Sequence, residues 1–215
     1  MKKKGMSKKE LKAPDEFQSA MMELWEKYGK YWKHFVIGLI IVIAIPVIIS
    51  LYNYYTNKKE VDAYNEYKNV LQNFINQKNP QPLENFIKKF NGTKANILAR
   101  IRLANYYFNK SKFEKAYNIY QYLTKKNINE EFKNFAKLCL AECLIEMKKD
   151  DKAKQILSSL KNDSIIGGEA DLYLAFLNEK NKNFSEAKQL YQEIIDRYKG
   201  FIYLRYAESW VNELK

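Results

Sequence analysis

The chain is poor in the residues that punctuate or cross-link a fold. It has 7 glycines, 4 prolines, 2 cysteines and a single histidine in 215 residues. So few breakers leave little room for the many tight turns of an all-β fold, and the reading is all-helical. With one histidine, His34, and two cysteines, a zinc site lacks ligands. Cys139 and Cys143 stand four residues apart, so on a helix they share a face, and a disulfide at that spacing is strained. They read as two small buried side chains. There is no Gly-rich phosphate loop and no grouping of nucleophile, base and orienting acid. The reading therefore assigns no catalytic residue, no cofactor, no metal and no small-molecule substrate. Asp150 and Asp151, the most conspicuous acid pair, sit where a helix N-terminus explains them.

Charge is also short of one sign. The formal net charge is +12. The excess is spread out: residues 1–34 carry nine lysines against five acids, and residues 56–215 carry 28 basic against 20 acidic residues. No arginine-rich run or nucleic-acid motif concentrates it, so nucleic acid is not expected as a partner.

What the chain does have is one long apolar run. Residues 35–51, FVIGLIIVIAIPVIISL, contain no charge. A helix apolar on every side for this long is the pattern of a membrane span. Tyr31 and Trp32 precede it and Tyr52, Tyr54 and Tyr55 follow, as expected of rings at headgroup level. Pro46 is tolerated in such a helix. The sequence after Ser50, LYNYYTNKK, has no small-x-small cleavage pattern, so an uncleaved anchor fits better than a removed signal peptide. Nine lysines lie before the run, whereas Lys58 and Lys59 behind it are offset by Glu60 and Asp62. The positive-inside rule then predicts a cytoplasmic N-terminus and an exported C-terminal domain. The segment from Pro14 to Lys33 spaces Phe17, Met21, Leu24, Trp25, Tyr28 and Trp32 as one face of a helix lying on the cytoplasmic leaflet. Its lysines, with those of the tail MKKKGMSKKELKAP, suit anionic lipid headgroups.

The rest of the chain repeats. Three segments align: Leu103 to Leu123, Leu140 to Leu160 and Leu174 to Ile194. Each opens with Leu-Ala. Each has a second alanine twelve residues on: Ala104 and Ala116, Ala141 and Ala153, Ala175 and Ala187. A large apolar residue follows four positions later: Tyr120, Leu157 and Tyr191. The offsets between repeats are 37 and 34 residues. Two antiparallel helices joined by a polar turn (NKSK, KKDD, KNKN) approach closely at the alanines, and copies stack because one hairpin cannot bury its apolar face alone.

The expected architecture is a single N-terminal transmembrane helix followed by an α-solenoid. The expected segments are 1–34 cytoplasmic, 35–55 membrane and 56–215 repeats. Within the last, hairpins fall at about 97–126, 134–161 and 168–199, with a capping helix at 201–214. Further helices are expected from Lys58 to about Gln77 and from Leu83 to Phe90.

The repeat pattern resembles tetratricopeptide repeats. Their usual glycine at the inter-helix turn is replaced by Ser111, Lys148 and Lys182, and the proline after the second helix is absent. The whole layout resembles the YfgM family of bacterial inner-membrane proteins. Three stretches carry the resemblance: LWEKYGKYWKHFVIGLIIVI, LENFIKKFNGTKANILARIRLANYYFNKSKFEKA and GGEADLYLAFLNEKNKNFSEAKQLYQEII. The basic N-terminal tail is not part of it. The resemblance implies an inner-membrane, single-pass, non-enzymatic subunit ancillary to the SecYEG translocon, with a membrane-anchored periplasmic chaperone as second partner. Such a subunit hands exported proteins to periplasmic chaperones. The alternative is a tethered repeat scaffold for cell-envelope or outer-membrane assembly.

Position in the repeat gives a candidate protein-binding groove on the first helix of each hairpin. It comprises Ile101, Asn105 and Phe108, then Leu138, Glu142 and Ile145, then Leu172, Phe176 and Glu179. A groove of apolar side chains with a few polar groups suits an extended or helical peptide. The competing reading is that neighbouring repeats or the capping helix cover these side chains.

Overall fold

The computed structural model describes residues 16–213. The lysine-rich tail, Pro14 and Asp15 at the expected helix start, and position 214 of the expected capping helix lie outside the described residues. Every regular element among the described residues is helical. The chain divides into two compact units, with the break between Lys58 and Lys59.

The first unit contains α1 (Glu16–Tyr28), a 3-10 turn (Gly29–Tyr31) and the start of α2 (Trp32–Gln77). The apolar side chains of α1 are exposed, Phe17, Met21, Leu24, Trp25 and Tyr28 among them. In α2, Pro46 lies inside the helix without interrupting it. Among the described residues one helical stretch is long and apolar enough to cross a membrane, with a best-window mean hydropathy of 2.9 and none of that window buried.

The second unit holds the end of α2, α3 (Gln81–Lys89) and three hairpins: α4 (Lys94–Asn109) with α5 (Phe113–Thr124), α6 (Glu130–Glu146) with α7 (Asp150–Ser158), and α8 (Gly167–Lys180) with α9 (Phe184–Arg197). A last helix, α10 (Leu204–Glu213), packs on α9. From α3 onward, each helix packs on the next in sequence.

The alanine spacing explains the packing. All six seam alanines are fully buried, and so are Tyr120, Leu157 and Tyr191. A methyl group lets two helix axes approach, and the large side chain one turn later fills the space beside them. α6 is the shared wall of two cores. Cys139, Leu140 and Cys143 join the core built from the end of α2 through α5. Leu138, Ala141 and Leu144 join the core of α7 to α10. Both cysteines are reduced and buried, and burial, with Glu142 adding to it, pushes each thiol up to about 12.

The turns inside the hairpins are copies of one another. Ser111, Lys148 and Lys182 have φ of 55°, 58° and 62°. At each, two backbone bonds close the helix end: Lys112 N–H to Tyr107 O and Ser111 N–H to Phe108 O, and the equivalents at Lys149, Lys148, Asn183 and Lys182. This is the Schellman closure, which wants a residue in the left-handed region. Glycine adopts that region freely and a serine or lysine does not. The three positions where the repeat pattern normally has glycine therefore carry backbone strain, as does Lys78 at the end of α2, with φ of 53°.

One glycine has a packing reason. A Cβ on Gly167 would stand 2.6 Å from the Tyr198 hydroxyl and 2.8 Å from the Lys161 carbonyl. Tyr198 donates to that same carbonyl at 3.0 Å. α8 can start against α7 and α9 only because this position has no side chain.

Candidate functional site

The first helices of the hairpins carry a cleft of about 470 Å³. Five of the nine positions named from the repeat pattern line it: Phe108 on α4, Glu142 and Ile145 on α6, and Leu172 and Phe176 on α8. Phe176 is exposed, and the other four are half-buried. The remaining four positions do not line it. Leu138 is buried in the second core. Ile101 packs against the first core. Asn105 accepts a hydrogen bond from the buried Tyr120 hydroxyl, and Glu179 accepts one from Tyr191 at 3.0 Å. In these two pairs a polar side chain of the first helix satisfies the phenol that fills the hairpin seam. Both phenol pKa values are raised, chiefly by burial.

The cleft also has walls that repeat position does not reveal. Glu146 follows Ile145, and Tyr173 follows Leu172. Tyr173 donates to Glu142 at 2.9 Å. Burial raises the pKa of Glu142, while the Tyr173 bond opposes that rise and the nearby Glu146 adds to it. Tyr203 and Tyr206 come from the chain around the start of α10 and close the far side. The capping helix is thus a wall of the cleft and leaves it open. A sequence signal for Tyr173 exists, because it neighbours a groove position on the same helix. Nothing in the sequence says over which face the cap lies.

The chemistry of the cleft is aromatic and apolar with an acidic side. Among the described residues, Glu142 and Glu146 are the charged groups that line it. Apolar walls supply contact area, and a few fixed polar groups set orientation, as in peptide-binding grooves. Among the described residues, no group of three or more metal-ligating side chains is brought together.

A second polar feature lies in the α7–α9 core. The Asp171 carboxylate is fully buried, and neither oxygen has a hydrogen-bond partner. Lys161 and Arg197 each approach it at 3.8 Å. Burial lifts its pKa to about 6; Lys161 and Arg197 pull the other way, and Glu193 adds to the rise. It ties the end of the second hairpin to both helices of the third.

Comparison with known proteins agrees with this geometry. No curated protein matches the chain. The family model described as a tetratricopeptide repeat-like domain matches residues 23–204, a range that begins in α1 and runs through all three hairpins. Domains of this kind are typically non-enzymatic scaffolds for protein–protein interaction. With most of its length matched and its seam alanines, repeated turns and stacked hairpins in place, the chain belongs to the tetratricopeptide repeat-like domain family.

Proposed function

We propose that this protein is a membrane-anchored scaffold at the Sec translocon that passes newly exported proteins to periplasmic chaperones. The observation that carries the reading is the open cleft of Phe108, Glu142, Ile145, Leu172 and Phe176, walled by three tyrosines. Its apolar contact area with a few fixed polar groups suits a polypeptide segment. Support for the membrane part comes from the uncharged run at residues 35–51 and from the family match, which extends across that run. Support for the translocon part is the resemblance of the juxtamembrane, first-repeat and third-repeat stretches to the YfgM family. In this reading the N-terminus is cytoplasmic, the repeats are periplasmic, and the exposed aromatic face of α1 rests on the inner leaflet.

Two experiments test it. An impermeant thiol reagent on intact cells bearing Lys88→Cys should label the exported domain. The native Cys139 and Cys143 stay silent because they are buried. Absence of labelling until the cells are lysed rejects the export reading. A photo-crosslinker at Phe176 should then capture translocon subunits or a membrane-anchored chaperone after mild detergent extraction. Capture of outer-membrane or cell-wall assembly proteins instead moves the scaffold to envelope assembly.

A further inference from the structure

The repeat domain has a second recess, of about 980 Å³, away from the cleft just described. It lies between the N-terminal half of α4, the C-terminal end of α5 and the connection to α6. Its charged lining is basic: Lys94, Arg100 and Lys126 against one carboxylate, Glu60.

Arg100 is the centre of the recess. Its guanidinium lies over the Tyr122 ring, 4.0 Å from the centroid. Its Nε donates to Asn96 Oδ1 at 2.8 Å. Asn96 is itself held in the core by donating to the Ile87 carbonyl at 2.7 Å. The guanidinium is thus fixed in place and half-buried. Among the described residues no carboxylate is within ion-pair distance of Arg100. Lys126 adds a second cation 4.7 Å from the centroid of the same Tyr122 ring. A desolvated cation without a counter-ion is costly, and a positioned guanidinium with a free edge has two parallel N–H groups to offer a carboxylate.

Glu60 does not fill that role. Its two oxygens accept the Lys94 backbone N–H at 3.3 and 3.0 Å. Together with the Thr93 side chain, it caps the start of α4. The helix terminus is closed to an incoming anion, and the open position is at Arg100. Beside it, Ile97 and Ile128 are half-buried and Phe132 is exposed, so the floor is apolar.

We propose that this recess docks an acidic, apolar-bearing segment of a partner protein, with a carboxylate on Arg100 and apolar side chains on Ile97, Ile128 and Phe132. The charge of the recess selects the sign of the partner. The planar fork of one guanidinium matches a carboxylate, and a recessed apolar floor suits side chains of a peptide better than the headgroup plane of a bilayer. The domain then has two docking sites of opposite preference, since the charged groups described in the cleft at Phe176, Glu142 and Glu146, are both acidic.

The test uses the full chain in a neutral detergent and fluorescence anisotropy of a labelled peptide alternating glutamate with leucine and phenylalanine. Its lysine counterpart and anionic phosphatidylglycerol vesicles are the comparison arms. The acidic peptide should bind, and high salt should weaken it. Arg100→Met should reduce affinity by about tenfold or more. Arg100→Lys should also weaken it, because the charge remains and the fork is lost. Phe176→Ala, in the other cleft, should leave it unchanged. If Arg100→Met fails to fold by circular dichroism, Arg100→Lys and Lys126→Met decide. The proposal is overturned if the acidic peptide does not bind, if the lysine peptide binds equally, or if the Arg100 and Lys126 variants bind as wild type. Arg100-dependent binding to the vesicles that the acidic peptide does not compete away also overturns it. Because the peptide reads Arg100 and the crosslinker reads Phe176, failure here is distinguishable from failure of the scaffold reading.

Discussion

The apolar run of residues 35–51 and the seams of the repeat hairpins are both hydrophobic, but for different reasons. The run uses Ile, Val and Leu at nearly every position, and in the folded chain its large side chains face outward, none of them buried. The seams use alanine, with one large residue per hairpin, and these are fully buried. In the run, total apolarity is what counts, and position counts little. In the seams, volume at each position decides how closely two helices come. Composition is therefore tolerant in the run and intolerant in the seams.

The strongest way to break this contrast is to empty a seam. Tyr191→Ala removes a buried ring that stacks on Trp210 and leaves Glu179 without its donor. It should cost about 3–5 kcal/mol in urea unfolding. Ile43→Ala should leave the same transition unmoved. Overfilling a seam comes next. Ala153→Leu should cost about 1–3 kcal/mol, because the facing helix must shift. Ala44→Leu should be silent by thermal melting of the repeat domain.

A smaller effect concerns charge in the core. The pKa of Asp171 is raised, so the folded state binds its proton more tightly than the unfolded chain does. Its contribution to stability is complete below the unfolded value near 4 and is lost as pH rises through about 6. Stability should thus decline over that window by roughly 1–2 kcal/mol from this group, given two partly exposed cations nearby. Denaturation midpoints of wild type and Asp171→Asn across pH 4–7 check it; equal slopes refute it. The smallest effect is at the turns. Ser111→Gly, Lys148→Gly and Lys182→Gly should each add about 0.5–1 kcal/mol by relieving the left-handed backbone. A loss on all three would mean that these side chains make contacts worth more than the strain.

Several of these features were legible in advance because they rest on local rules. The seam alanines follow from a fixed spacing, and the three strained turn residues from their place in it. Five of the candidate positions that helical register picks out line one cleft. Leu138 and Ile101 went inward because α6 and α4 each bury more than one face, which single-helix register does not encode. Asn105 and Glu179 were consumed by tyrosines twelve or more residues away in sequence. Arg100 gave no signal, since an isolated arginine in a helix looks like any exposed one until Asn96 and Tyr122 fix it.

The sequence by itself determined the helical class, the uncharged run and the period of the hairpins. Each depends on residue type at short spacing, where geometry is fixed by the helix. Only the tertiary structure decided that α6 serves two cores, that the cap walls the cleft with Tyr203 and Tyr206, and that one recess is acidic and the other basic. Those outcomes depend on which faces of distant helices meet, and that is set by packing of the whole domain and not by any one segment.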